Sequence, residues 1–115
     1  MENKELRYEL FNQLIDEFVL KEVKPLAQEV DEEERFPIET VQKMAKIGLL
    51  GINVPKTYGG AGGDNTMYIT AVRKLSSACA TTGVILSGHV SLSVTPILEF
   101  GTEEQKQRFL TDLCT

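Results

Sequence analysis

At 115 residues, 42% of them hydrophobic and 25% charged, the sequence has the size and composition of one globular domain that buries a core without disulfide or metal staples. A formal charge of −5, with no Lys/Arg cluster interleaved with aromatics, excludes the electrostatic footprint of a nucleic-acid binder. Cys79 and Cys114 lack zinc-site or CxxC spacing and read as reduced thiols, which suits a cytoplasmic protein, or a mitochondrial-matrix one if the source is eukaryotic. The first ten residues carry no signal-peptide pattern, and the apolar runs read one at a time are too short to cross a bilayer, so neither secretion nor a membrane partner is expected.

In chain order, the apolar positions Leu6, Leu10, Phe11, Leu14, Ile15, Phe18, Val23, Leu26, Ala27 and Val30 form the i, i+3, i+4 stripe of a long amphipathic helix. Pro25 lacks an N–H and clashes with the turn before it, which predicts a kink or break near Val23 to Pro25. The acidic run from Asp31 to Arg35 is expected to end this helix as a solvated terminus. A second helix is predicted from Pro37 to about Ile47, with Pro37 at the first helical position, Glu39 early, Lys43 and Lys46 late, and Gly48 as terminator. The stretch "LLGINVP", Leu49 to Pro55, has no partner strand in sight and reads as buried extended chain.

"VPKTYGGAGGD", Val54 to Asp64, looks at first like a phosphate-cradling loop. It lacks the Gly-Lys-Ser/Thr closure that would converge on phosphate, and Asp64 at the mouth of the next helix would repel an anion. Asp64 or Asn65 instead reads as the N-cap of a third helix, Thr66 to about Cys79, with Met67, Ala71, Val72, Leu75 and Cys79 facing inward. "TGVILSGHVSLSV", Thr82 to Val94, is apolar with small residues at Gly83, Ser87, Gly88 and Ser91, and is expected to be the most buried helix. Thr95-Pro96 starts a short helix. Gly101 separates it from a longer one opened by Thr102 and Gln105 at capping-box spacing. The fold class is therefore all-α, with five or six helices and no paired sheet.

Chemistry is sparse. His89 is the sole histidine, no Ser/Asp arrangement around it has triad spacing, and it reads as a polar side chain on a core helix. Glu29, Asp31, Glu33 and Glu34 sit at a helix end with nothing to raise a pKa, so none is assigned acid/base work. Spacing alone yields no catalytic constellation.

Taken together, "RFPIETVQKMAKIGLLGINVPKTYGGAGGDNTMYITAVRKLS" (35–76) and "TTGVILSGHVSLSVTPILEFGTEEQKQRFL" (81–110) resemble the N-terminal helical domain of the acyl-CoA dehydrogenase family. The order and spacing of the FP helix, the GLLGI-x-VP connector, the YGG-x-GG loop and the FGTEEQK segment carry the resemblance over nearly the whole chain. The "TTGVILS…SL" segment is most similar to the short-chain, butyryl-CoA branch.

The resemblance implies that residues 1–115 are this helical domain, without the β-domain and C-terminal helical bundle that hold most of the FAD. It implies a parent enzyme, a homo-oligomer, that dehydrogenates a short-chain acyl-CoA at the α,β positions in fatty acid metabolism. A glutamate there takes the α-proton, flavin takes the β-hydride, and an electron-transfer flavoprotein receives the electrons. Because the sequence stops at Thr115, a truncated domain is expected, with neither retained FAD nor activity of its own. The glycine loop is then a structural connection between helices. The domain would supply one wall of the acyl-chain cavity, with Ile85, Leu86, His89 and Leu92 as substrate-lining residues and bulky Ile85 and Leu86 limiting chain length. The alternative is a free-standing helical interaction module without catalysis.

Overall fold

The computed structural model describes residues 3–115, which contain no strand. The α-helices are α1 (Lys4–Phe18), α2 (Lys24–Glu33), α3 (Ile38–Lys46), α4 (Asn65–Ala78), α5 (Ala80–Ser87), α6 (Thr95–Phe100) and α7 (Glu103–Cys114). A π-helical turn at Val19–Val23 fuses α1 to α2, and another at Gly88–Val94 fuses α5 to α6. The seven α segments thus make five rods, and the all-α expectation holds.

Each π turn precedes a proline in the first turn of the following α segment, Pro25 and Pro96. A proline offers no N–H and its ring clashes with the carbonyl four residues back. Widening the turn relieves both problems: Lys24 N–H bonds to Val19 O, and Thr95 N–H to Val90 O, each five residues back. The first rod therefore continues through Pro25 instead of breaking there. It also runs into the acidic stretch, ending where Glu34 adopts a left-handed φ of 51°. Arg35 stitches this end to the next helix, reaching Glu29 at 2.6 Å, Glu39 at 3.0 Å and Glu33 at 3.5 Å. Its guanidinium holds the Glu39 carboxyl below the ordinary carboxylate range.

Pro37 is the N-cap of α3 rather than its first residue, and Gly48, at φ +86°, closes it. The segment that follows is buried as expected but not extended. Leu49–Gly51 is a 3₁₀ turn, because buried N–H groups without a neighbouring strand must find partners close by. The carbonyls of this turn's last residue and of the chain just after it organise the glycine loop: Ala61 N–H donates to Gly51 O at 2.9 Å, Gly62 to Val54 O at 2.9 Å and Gly63 to Ile52 O at 2.7 Å. A Cβ at Gly60 would strike the Val54 carbonyl, so only glycine fits that close approach.

Asp64 is the N-cap of α4, one Oδ accepting from Met67 N–H at 2.9 Å and the other from the Tyr8 hydroxyl at 2.6 Å. Ala71, Leu75 and Cys79 are buried as predicted, Met67 and Val72 are half-buried, and Tyr68 joins them inside. Cys79, in an extended conformation, makes the corner into α5, where Gly83 packs so closely on Ser76 that no side chain fits between.

The α5–π–α6 rod is not the most buried element. Thr82, Gly83, Leu86, Val90 and Val94 face the core, while Val84 is 68%, Leu92 79% and Phe100 84% exposed. Read as one rod, Ala80–Phe100 spans 21 residues and is the one described helix long and apolar enough to cross a membrane. That corrects the expectation drawn from its apolar runs taken separately. Its inward face is part of the protein's own core. A main cluster joins Ile15, Val23, Met44, Leu49, Leu75 and Leu86, and a smaller one under α7 joins Val54, Val94, Leu110 and Cys114.

Candidate functional site

The four residues singled out on the fourth rod do not share one face. Leu86 is 0% exposed and sits in the main core, so it cannot line a cavity, contrary to expectation. It lies four residues before Val90, also inward, and a Val-Ile-Leu run carries no polar mark to separate the inward position from the outward ones. Ile85 is half-buried: one side packs on the core and the other borders an open groove of about 560 Å³ between the end of α2 and the start of α5. Phe36, Val30, Ala80 and Val84 complete its apolar part, with Thr81, Asp31, Glu34 and Arg35 supplying its polar lining. Leu92 projects into solvent.

His89 is half-buried, and its Nε2 lies 2.7 Å from the Leu113 carbonyl. A carbonyl only accepts, so Nε2 carries the proton and, in the neutral ring, Nδ1 is the acceptor. The ring thereby ties the fourth rod to the last turn of α7. This is a structural bond and not a triad.

Val84, assigned no role from the sequence, joins Gly88 and Leu92 on the outward side of this rod. Val84, Gly88 and Leu92 recur every four residues, and the outer two are among the most exposed apolar side chains. At Gly88 an added Cβ would meet nothing within 4 Å. The rod therefore presents an apolar strip with a depression at its middle, bordered at one end by Ile85 and the groove. The signal for it was the glycine itself, read earlier as a mark of close packing.

The glycine loop offers no cradle for a phosphate. The amides of Gly60, Ala61, Gly62 and Gly63 all donate within the loop or back to Gly51 and Ile52, and Asp64 stands at the α4 N-terminus with its carboxyl held below its ordinary value by Tyr8 and Met67 N–H. No group of three or more His, Cys, Asp or Glu placed to hold a metal occurs among the described residues.

Residues 7–115 match the family described as acyl-CoA dehydrogenase, N-terminal domain. The chain belongs to that family. Its domain is 57% identical over 105 residues to the short-chain specific acyl-CoA dehydrogenase of Clostridium acetobutylicum, covering 91% of this chain and 28% of that protein. It is 45% identical over 103 residues to the mitochondrial short-chain specific acyl-CoA dehydrogenase of Bos taurus, covering 90% and 25%. Among solved structures, butyryl-CoA dehydrogenase from Megasphaera elsdenii superposes with a TM-score of 0.87 at 32% identity, covering 99% of this chain and 30% of that one. An acyl-CoA dehydrogenase from Bacillus anthracis, complexed with FAD, gives 0.85 at 29% identity, covering 95% and 19%. The acyl-CoA dehydrogenase domain described here thus spans under a third of the length of these relatives.

Proposed function

We propose that the chain is the N-terminal helical part of a flavin-dependent acyl-CoA dehydrogenase acting on short-chain acyl thioesters, and that its fourth rod forms one wall of the acyl-chain cavity. The observation that carries this is the exposed apolar strip Val84–Gly88–Leu92, with Ile85 at its groove, in a domain whose relatives bear that activity in their names. An apolar strip in need of cover is what an alkyl chain requires, since each methylene removed from water contributes about 0.8 kcal/mol. Ile85, Leu92 and Val84 would exclude water from the chain, and His89 would hold the strip in register against α7.

Proton abstraction and hydride transfer belong elsewhere in this reading. Glu29, Glu33 and Glu39 are engaged by Arg35, and the loop amides are paired internally, so the FAD and the catalytic base would come from parts of the enzyme beyond these residues. Electron-transfer flavoprotein as redox partner, a homo-oligomeric assembly and a cytoplasmic or mitochondrial-matrix location belong to the same proposal.

The test is steady-state turnover of butyryl- through octanoyl-CoA by the full-length enzyme carrying this domain, with and without Ile85→Ala. A shift toward longer substrates supports the wall; an unchanged profile removes Ile85 from it. In parallel, this chain purified alone is expected to be colourless and inactive with added FAD and an artificial acceptor. A yellow protein with turnover would overturn the division of labour.

A further inference from the structure

The inward positions of the fourth rod, Thr82, Leu86, Val90 and Val94, are at most 1% exposed and recur every four residues. In an α-helix a step of four overshoots the full turn by about 40°, so the third step would carry Val94 about 120° away from the side on which Thr82 sits. The same drift would set Leu92 about 80° from Val84. The π turn at Gly88–Val94 removes it: a turn closed five residues back takes in one residue more, and steps of four stay in line. The core does not require this solution. With one residue fewer between Val90 and Val94, the step from one to the other would be three, the ordinary inward alternation of three and four along an α-helix, and both valines would remain inside. What the extra residue alone accomplishes lies on the outer side, where it brings Leu92, 79% exposed, into line with Val84 and Gly88. Pro96, in the first turn of α6, protects the arrangement. An α-helical ladder would drive its ring against the carbonyl four residues back, which is that of Leu92 itself.

We propose that the extra residue of this turn, retained by Pro96, positions Leu92 on the wall of the acyl-chain cavity and so sets the chain length that the enzyme accepts. The inference rests on the acyl-wall reading of the fourth rod and adds a cause for the straightness of its strip. Single π turns within helices are frequent at functional sites, and this one carries two of the strip's three residues, Gly88 and Leu92. Leu92 meets the alkyl chain. Pro96 is a positioning residue, acting through the backbone at Leu92 without touching substrate.

The experiment uses the full-length enzyme carrying this domain. Ser93, an exposed residue of the turn, is removed and Pro96→Ala introduced, so that the rod can close as an unbroken α-helix. Flavin absorbance and thermal melts report whether the shortened enzyme folds, and steady-state kinetics follow butyryl- through octanoyl-CoA. Expected are a retained fold and a KM for butyryl-CoA raised about tenfold with kcat little changed, the mark of lost binding that is uniform between ground and transition states. Leu92→Ala closes a double-mutant cycle: it should raise KM in the unaltered enzyme and add nothing in the shortened one, a coupling that a purely structural turn would not produce. Additive effects overturn the proposal. An unchanged KM in the shortened enzyme also overturns it, and leaves the wall standing where Ile85→Ala still shifts the chain-length profile; where neither variant moves the profile, the wall falls and the proposal with it. A shortened enzyme that fails to fold assigns the extra residue to the core and overturns the proposal as well.

Discussion

Alanine at Leu86 and alanine at Ile85 are expected to do different things, although the two are neighbours in sequence. Leu86 is wholly enclosed, so Leu86→Ala leaves a cavity and costs about 2–5 kcal/mol, read by chemical denaturation, with chain-length preference unmoved. Ile85 has one free side on the groove; in the full-length enzyme its removal opens space, and accommodating two further methylenes at about 0.8 kcal/mol each shifts preference roughly tenfold. Asp64 supports a pH prediction. Its carboxyl is held below the ordinary value of 3.8, first by the Tyr8 hydroxyl and then by Met67 N–H. A folded-state value below the unfolded one means that the contribution is complete above the ordinary value and lost as pH falls through the depressed one. Asp64→Asn should therefore be less stable than the parent chain near neutrality, and the two should converge in acid, as followed by thermal melts across pH. The cap itself was legible, because Asp before a helical pattern has few other uses. The bond from Tyr8 was not, since it joins residues 56 apart.

At the level of elements, the boundaries that rest on local chemistry were readable and those that rest on long-range packing were not. Thr102 and Gln105 announced the capping box that opens α7, and both of its bonds form, Gln105 N–H to Thr102 Oγ1 at 3.1 Å and Thr102 N–H to Gln105 Oε1 at 2.8 Å. Thr102→Ala should cost about 1 kcal/mol, seen as a lower melting temperature, while Thr102→Ser should recover most of it. Gly48 as terminator was equally plain. Pro25 announced trouble correctly, but a proline does not say whether the chain will break or widen its turn. Burial of Val19 and Val23 on the core keeps the rod continuous and selects the π turn. The "LLGINVP" segment misled for a related reason: its apolar, β-branched character reports burial, and burial without a partner strand favours a 3₁₀ turn. The fourth rod was misjudged because its small residues serve two ends. Gly83 is small for packing on Ser76, whereas Gly88 borders open space, and composition cannot tell these apart.

As a whole the molecule is a slab, 42 × 35 × 18 Å, with a radius of gyration of 14.4 Å against about 13 Å for a rounded domain of this length. Thinness leaves too little interior to cover every apolar face. Leu10, Phe36, Val84, Leu92 and Phe100 are all more than half exposed, and contiguous apolar patches larger than a few hundred Å² are uncommon on stable monomers. The chain by itself is expected to self-associate, with a weight-average mass that climbs with concentration in sedimentation; a single monomeric species throughout would show that these faces need no cover. One part of the slab should behave against type. Loops ordinarily trade their amide protons with solvent quickly, yet Ala61, Gly62 and Gly63 donate to the carbonyls of the buried residues Gly51, Val54 and Ile52, and α7 clasps the same loop through the bond from Thr111 to the Tyr58 carbonyl. In deuterated buffer those three amides should retain their protons about as long as helical core amides do, opening only when the whole fold opens. The glycines thus make the loop a timekeeper for global unfolding, and its exchange clock should run with that of Leu75 rather than with that of Lys56.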